Sequence, residues 1–348
     1  MISISKKLFC LPKDKITKVI KKINSNKKKI CIVVDEKNFF QGVITDGDIR
    51  RSIMKHNTIK LLATDVMNPN PVISLFKNIN LENLKKLKKL NTNFIIHINK
   101  KKKFRSVTFF KDSVEIKKNK NKVLIMAGGK GTRLKHLTKK NPKALVVINK
   151  KTIIENIILN FKKNGFYNFI ISTGYFGDKI KKFLKNGEKL GVSIEYVSES
   201  NPLGTAGSLS LIKDKVNDTF IVINCDVITN MNFKNLLLFH KKNKSYATIA
   251  VVEKEFQNMY GVVKSKKNEF LNIEEKPIIR FFVNAGIYVF EKKILQLLKK
   301  NERINMNELF LKLKKLKIKN TVYPLIEDWF DVGNISDLNQ FKKNLKRL

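Results

Sequence analysis

Val123-Leu124-Ile125-Met126-Ala127-Gly128-Gly129-Lys130-Gly131-Thr132-Arg133-Leu134 is an apolar, strand-like run that breaks into glycines and ends on a guanidinium. Glycines at 128, 129 and 131 let the backbone bend sharply and bring its N–H groups against phosphate oxygens, which a Cβ would obstruct. Arg133 adds a permanent charge with a planar fork of donors. The pattern is neither of the common glycine fingerprints. No Gly-Lys-Ser/Thr closes a Walker-type loop, and no third glycine falls where a dinucleotide fold requires it. Alone, the stretch reads equally well as an ordinary strand-to-helix turn, and its neighbours decide.

Further along the chain, Pro142-Lys143-Ala144-Leu145 presents a second cation from a turn that proline stiffens. The run from Ala127 to Leu134, with Leu137-Thr138 and Pro142-Lys143, resembles the signature of the sugar-1-phosphate nucleotidyltransferases, also called NDP-sugar pyrophosphorylases. The likeness covers most of residues 122–348, because further motifs follow in that family's order. It implies that Ala127, Gly128, Gly129 and Arg133 hold a nucleoside triphosphate and that Lys143 lies beside the reacting phosphates. Both cations suit a transfer catalysed mainly by positioning and by neutralising charge.

Glu199-Ser200-Asn201-Pro202-Leu203-Gly204-Thr205-Ala206-Gly207 matches the family's base-pocket segment, which places Glu199, Gly204 and Thr205 at the nucleotide. A carboxylate at 199 is an acceptor pair suited to guanine's N1–H and exocyclic amine, which favours GTP; UTP, TTP and CTP stay open. Phe220-Ile221-Val222-Ile223-Asn224-Cys225-Asp226 reads as a buried strand delivering an acid at its carboxyl end, the edge at which open α/β sheets bind ligands. By resemblance, Asp226 and the Asp331 of Trp329-Phe330-Asp331-Val332-Gly333 hold Mg²⁺, an ion that keeps several waters and is shared with substrate phosphates. Either Asp alone would read as a turn or cap residue. Tyr260-Gly261-Val262-Val263, Glu274-Glu275-Lys276-Pro277 and Val283-Asn284-Ala285-Gly286 build the sugar half by the same likeness. Lys276 goes to the sugar phosphate, Glu275 to hydroxyls, and Gly261 and Asn284 shape the pocket.

The expected fold from residue 123 is Rossmann-like, a mainly parallel sheet wrapped by helices. Strands at 123–127, 169–173, 194–197, 220–224 and 247–252 alternate with helices around 153–164, 178–186, 206–213 and 233–242. The chain stops soon after Asp331, so no appended β-helix, and no acetyltransferase activity, is expected.

Residues 1–117 read as a separate small α/β unit, followed by a charged, exposed linker at 118–122 and the domain 123–348. Gln41-Gly42-Val43-Ile44-Thr45-Asp46-Gly47-Asp48 resembles the end of a CBS domain, and Asp65-Val66-Met67-Asn68-Pro69 the opening of a second, giving tandem copies at about 1–60 and 61–115. Such pairs commonly bind adenine nucleotides, with Thr45 at a phosphate and Asp48 at the ribose. The second copy, at Phe104 to Asp112, lacks both the glycine and a clear Thr-x-x-Asp, so sensing and plain dimerisation read equally well. Family analogy suggests a homodimer through this unit. A CBS pair before a guanylyl-type domain is similar to bacterial enzymes that act on glucosamine 1-phosphate for legionaminic acid and flagellin glycans. Mannose 1-phosphate and glucose 1-phosphate remain open alternatives, as does a non-catalytic nucleotide-sensing protein.

A formal net charge of +42 ordinarily points to nucleic acid. The cations are almost all Lys, scattered over the whole length, and no nucleic-acid-reading motif accompanies them, so dedicated nucleic-acid binding is not expected. Cys10, Cys31 and Cys225 form no CxxC pair, which argues for a reducing compartment. Without a signal-peptide core or an apolar run long enough to span a bilayer, the protein is expected in the cytoplasm, away from membranes.

Overall fold

The computed structural model describes residues 8–26, 28–75, 83, 87, 92–110, 118–129, 138, 141–148 and 150–333. The chain divides into two units, Met1–Glu115 with Glu255–Arg280, and Ile116–Lys254 with Phe281–Leu348.

In the first unit, β1 (Phe9–Cys10), α1 (Ile16–Ser25), β2 (Ile30–Val34), β3 (Phe40–Thr45) and α2 (Asp46–His56) are followed by α3 (Ala63–Val66), β4 (Ile73–Ser74), β5 (Phe94–Ile98) and β6 (Phe104–Phe109). Helix α1 forms because Ile16, Val19, Ile20 and Ile23 recur at helical spacing and all bury. The two sheets repeat one plan. β1 runs parallel to β2 and β2 antiparallel to β3; β4 and β5, then β5 and β6, do the same. Each antiparallel pair slips register at one place, between Val33 and Val34 and between His97 and Ile98. Ile30, Ile32, Val43, Phe94, Ile96 and Phe104 share one core, so the two sheets bury against each other.

In the second unit, β7 (Val123–Ala127) leads through a 3₁₀ turn at Lys143–Leu145 to the short hairpin β8 (Val147–Ile148) and β9 (Lys151–Thr152). Then come α4 (Ile153–Lys163), β10 (Asn168–Thr173), α5 (Gly177–Leu184), β11 (Ser193–Ser198), α6 (Gly204–Gly207), β12 (Phe220–Asn224), β13 (Val227–Thr229), α7 (Phe233–Lys242) and β14 (Ala247–Gln257). The chain next makes the hairpin β15 (Val262–Lys266) and β16 (Glu269–Glu274) of the first unit and returns as β17 (Ile278–Phe290). It continues through α8 (Met306–Lys315), β18 (Asn320–Pro324) and β19 (Trp329–Asp331).

Seven strands form the main sheet, in the order β11-β10-β7-β12-β17-β14-β18. β11, β10, β7 and β12 are mutually parallel, while β17 runs antiparallel to β12, so the sheet is mixed rather than purely parallel. One hydrophobic core covers Val123, Ile125, Ile171 and Ile223, and the other covers Leu124, Ile170 and Val222. That two-sided burial is why these strands read as continuous apolar runs.

Two expectations are corrected. The helix expected over 206–213 is the short α6 followed by a 3₁₀ segment, Ser208–Ile212. The stretch 118–122 is not a freely exposed linker, because Asn119 N donates to the Gly165 carbonyl, buried Asn121 donates to the Thr219 carbonyl and Lys122 pairs with Glu195. No helix of the described residues is long and apolar enough to cross a membrane.

Candidate active site

Parallel pairing aligns the carboxyl ends of four strands. Thr173 lies opposite both Ala127 and Ser198, and Asn224 lies opposite Met126. The residues that follow each strand, Gly128, Gly174, Glu199 and Asp226, therefore share one sheet edge.

Glu199 is fixed there. Its backbone N–H donates to the Thr173 carbonyl at 2.9 Å, its Oε1 accepts from the Ser172 hydroxyl at 2.7 Å, and its Oε2 accepts from the Leu203 N–H at 3.2 Å. A Cβ on Gly128 would fall 2.7 Å from Glu199 Oε1, so any larger residue there would push this carboxylate out of its hydrogen-bonded position. At Gly129, a Cβ would meet nothing within 4 Å. Glycine at 128 is thus a matter of space beside Glu199, and at 129 neither a neighbour nor a positive φ requires it. Arg133 and Gly131 lie outside the described residues.

Beside the first cluster is a second. Lys143, opening the 3₁₀ turn after Pro142, donates from Nζ to Asp226 Oδ2 at 2.9 Å, and both side chains are mostly buried. The antiparallel register of β13 with β19 sets Val227 opposite Asp331, and Val332 N–H donates to the Asp226 carbonyl at 2.9 Å. Residues far apart in sequence, Lys143, Asp226 and Asp331, thereby come together. Burial pushes the neighbouring Cys225 thiol up to about 12, the Asp226 charge adding to the shift, so this cysteine is no thiolate nucleophile.

The donors available to a cation are carboxylate oxygens, and among the described residues no group of three or more His, Cys, Asp or Glu side chains gathers at one point. Two carboxylates with open positions left for water and phosphate suit a hard divalent ion.

Asn284 donates to Tyr288 Oη at 2.7 Å and accepts from Gly286 N–H at 2.9 Å, and the left-handed Gly286, at φ +69°, packs on Asn224. Trp329 closes the same region by donating its indole N–H to the Ala285 carbonyl at 2.9 Å. Gly204 and Thr205 tie elements together: Gly204, at φ +80°, packs on the Ile304 carbonyl, and Thr205 Oγ1 accepts from Met306 N–H at 2.8 Å. Gly261, Glu275 and Lys276 belong to the first unit, where the Glu275 carboxylate lies against Gly261 and Lys276 takes a left-handed φ of 45°.

In the repeated module, Thr45 and Asp48 form a capping box on α2. Asp48 Oδ2 accepts from Thr45 N–H at 2.8 Å and from Thr45 Oγ1 at 2.6 Å, while its Oδ1 pairs with Arg51. Sequence reasoning missed Ser172, whose hydroxyl fixes Glu199. Its only signal is a polar residue ending the apolar run Phe169-Ile170-Ile171.

A parallel sheet with a glycine turn, carboxylates and a lysine at its carboxyl edge is a nucleotide-binding α/β arrangement. The family model described as "Nucleotidyl transferase" matches residues 122–347, and the chain belongs to that family. A CBS domain model matches residues 2–55. The chain is 35% identical over 225 residues to mannose-1-phosphate guanylyltransferase catalytic subunit beta of Dictyostelium discoideum, covering 62% of each chain. It is 27% identical over 236 residues to UTP--glucose-1-phosphate uridylyltransferase of Synechocystis, covering 62% of this chain and 61% of that one. The crystal structure of HddC from Yersinia pseudotuberculosis superposes with a TM-score of 0.52 at 25% identity, covering 65% of this chain and 99% of HddC.

Proposed function

We propose that this chain joins a nucleoside triphosphate, GTP by preference, to a hexose 1-phosphate and releases an NDP-sugar and pyrophosphate. The observation that carries the reading is the meeting at one sheet edge of Glu199 against Gly128 with Lys143 on Asp226. Residues 123–348 form the transferase in this reading, and 1–117 a tandem CBS pair open to an adenine nucleotide at Thr45 and Asp48.

A phosphate oxygen of the sugar 1-phosphate attacks the α-phosphorus in line, and the bond from that phosphorus to the β-bridging oxygen breaks, so pyrophosphate leaves with the electron pair. Lys143, held in place by Asp226, offsets the growing charge on the phosphates, and Arg133 does the same from the glycine loop. Asp226 and Asp331 would hold Mg²⁺, which when bound draws charge off the phosphate oxygens. Resemblance alone assigns Lys276 to the sugar phosphate and Glu275 to sugar hydroxyls.

The base preference rests on Glu199. Each of its oxygens accepts one protein hydrogen bond and retains lone-pair capacity, which fits the paired donors of guanine. The higher identity to a protein named guanylyltransferase than to one named uridylyltransferase agrees with that preference. Glucosamine 1-phosphate is the favoured sugar, for a surface or flagellin glycan, with mannose 1-phosphate and glucose 1-phosphate the alternatives.

Pyrophosphate release, measured with Mg²⁺ across four NTPs and the 1-phosphates of glucosamine, N-acetylglucosamine, mannose and glucose, tests the reading. Turnover confined to GTP and one sugar is expected. Turnover with UTP, TTP or CTP would keep the chemistry and overturn the Glu199 assignment. A folded protein silent in every well would count against the transferase.

A further inference from the structure

Lys143 and Asp226 hold each other, although the proposed reaction needs each of them elsewhere: the lysine on the phosphates, the carboxylate on a divalent cation. Lys143 Nζ donates to Asp226 Oδ2 at 2.9 Å, and the two side chains are only 12% and 21% exposed. The backbones on both sides are pinned. Leu145 N–H donates to the Pro142 carbonyl at 3.0 Å and Val146 N–H to the Lys143 carbonyl at 3.1 Å, closing the 3₁₀ turn over buried Ala144. Cys225 N–H donates to the Met126 carbonyl at 3.2 Å, and Val332 N–H to the Asp226 carbonyl at 2.9 Å. What can yield is the lysine's flexible four-carbon stem.

An ammonium on the carboxylate that a dication needs opposes that dication, whether the ion takes Oδ2 or the neighbouring oxygen, because like charges a few ångströms apart repel strongly in so enclosed a place. Driving the ammonium off leaves a mostly buried cation without its counter-charge, which is unfavourable unless another anion receives it. A triphosphate is such an anion. The charge of the whole chain acts in the same sense. At a formal net charge of +42 it repels a bare dication and attracts a metal–triphosphate complex, which is still net negative.

We infer that Lys143 gates the metal position: it holds Asp226 against a free divalent cation and releases it when a triphosphate arrives to take the ammonium, so that metal and nucleotide bind as a coupled pair. This gate rests on the transferase reading of the site and adds a regulation of it. Coupling between two ligands is reciprocal, so whatever Lys143 withholds from the metal, Asp226 withholds from the phosphates.

Mn²⁺ is the probe, its free ion counted by electron paramagnetic resonance in nucleotide-free solutions of the full chain. Lys143→Met should bind Mn²⁺ at least about tenfold more tightly than the parent, while Lys143→Arg, which keeps the charge, should stay near the parent. The gain should vanish when Asp226→Asn is added to Lys143→Met. Reciprocally, with EDTA present, Asp226→Asn should bind inorganic pyrophosphate about fivefold more tightly than the parent, a gain that the double variant lacks. Circular dichroism checks that each variant is folded. Equal Mn²⁺ affinity in Lys143→Met and the parent would overturn the gate, as would equal tightening by Met and Arg. Either result in a chain that releases pyrophosphate from GTP leaves the transferase standing without the gate. A parent silent in pyrophosphate release, with tightening confined to Lys143→Met, keeps the gate and removes the reaction.

Discussion

Glu199 and Asp48 are both carboxylates just past a strand, and both accept two or more hydrogen bonds, yet their surroundings differ. Asp48 takes the N–H and hydroxyl of Thr45 and the guanidinium of Arg51, closing a helix start on itself. Glu199 takes the hydroxyl of Ser172 from the neighbouring strand as well as the N–H of Leu203 from its own loop, and lies against the Gly128 turn. The same contrast separates Asp226, which draws in Lys143 from 83 positions away, from the local pairs of the repeated module. A strand-end acid with a partner from a distant segment ties the sheet edge together; one whose partners all lie in its own next turn caps a helix.

The largest effect that would break this contrast is on chemistry. Asp226→Asn removes the partner of Lys143 and one carboxylate of the candidate metal pair, so the rate of pyrophosphate release should fall about 10³-fold with the fold intact. A variant retaining most of the rate would put Asp226 with the merely structural acids. Glu199→Gln should cost GTP roughly 10–100-fold in kcat/KM and narrow the gap to UTP; an unchanged ratio between the two nucleotides would remove Glu199 from base reading.

Smaller effects are expected on stability. A Cβ at Gly42 would fall 2.7 Å from the Asn68 carbonyl, where Val43 and Asn68 exchange backbone hydrogen bonds, so Gly42→Ala should lower unfolding free energy by about 1–3 kcal/mol. Ser106, which occupies the matching register position opposite His97, should accept Ala with little change in denaturant midpoint. Asp48→Ala should cost about 1 kcal/mol by loss of the cap and leave turnover unchanged; a rate loss without destabilisation would reverse the comparison.

The smallest concerns acid. His240 is fully buried, its Nδ1 against Thr248 Oγ1 and its Nε2 against Glu291. Burial holds its pKa below the ordinary histidine value, with Glu291 pulling the other way. The unfolded chain therefore binds a proton that the folded chain resists, and stability declines as pH falls through about 6.5. Thermal unfolding at about pH 5.5 should begin a few degrees earlier than at neutrality, and the difference should shrink in His240→Gln.

Much of this was legible because the strands announce themselves. Ile30–Val34 and Val123–Ala127 are unbroken apolar runs, Phe220–Asn224 is apolar up to its closing Asn224, and the helix at Phe233–Lys242 has periodic Leu and Phe. What stayed hidden depends on pairing between distant segments. No local pattern reveals that β17 lies antiparallel between β12 and β14, or that Ser172 meets a carboxylate 27 positions later. The start of the helix at Gly204 is set by a neighbour, since a left-handed glycine packs there on the Ile304 carbonyl. The charged composition of 118–122 likewise concealed Asn121, whose amide is recruited by the Thr219 carbonyl across the sheet.

Trp329 is the chain's sole tryptophan. Its indole is held by Ala285 one residue from Asn284, lies two positions from Asp331, and has the Lys254 ammonium over its ring at 5.2 Å. The intrinsic fluorescence of this protein is therefore a single-site signal arising beside the proposed phosphate and sugar positions. Titrating nucleotide or sugar phosphate and watching the emission would follow occupancy in the unlabelled chain, including variants that no longer turn over.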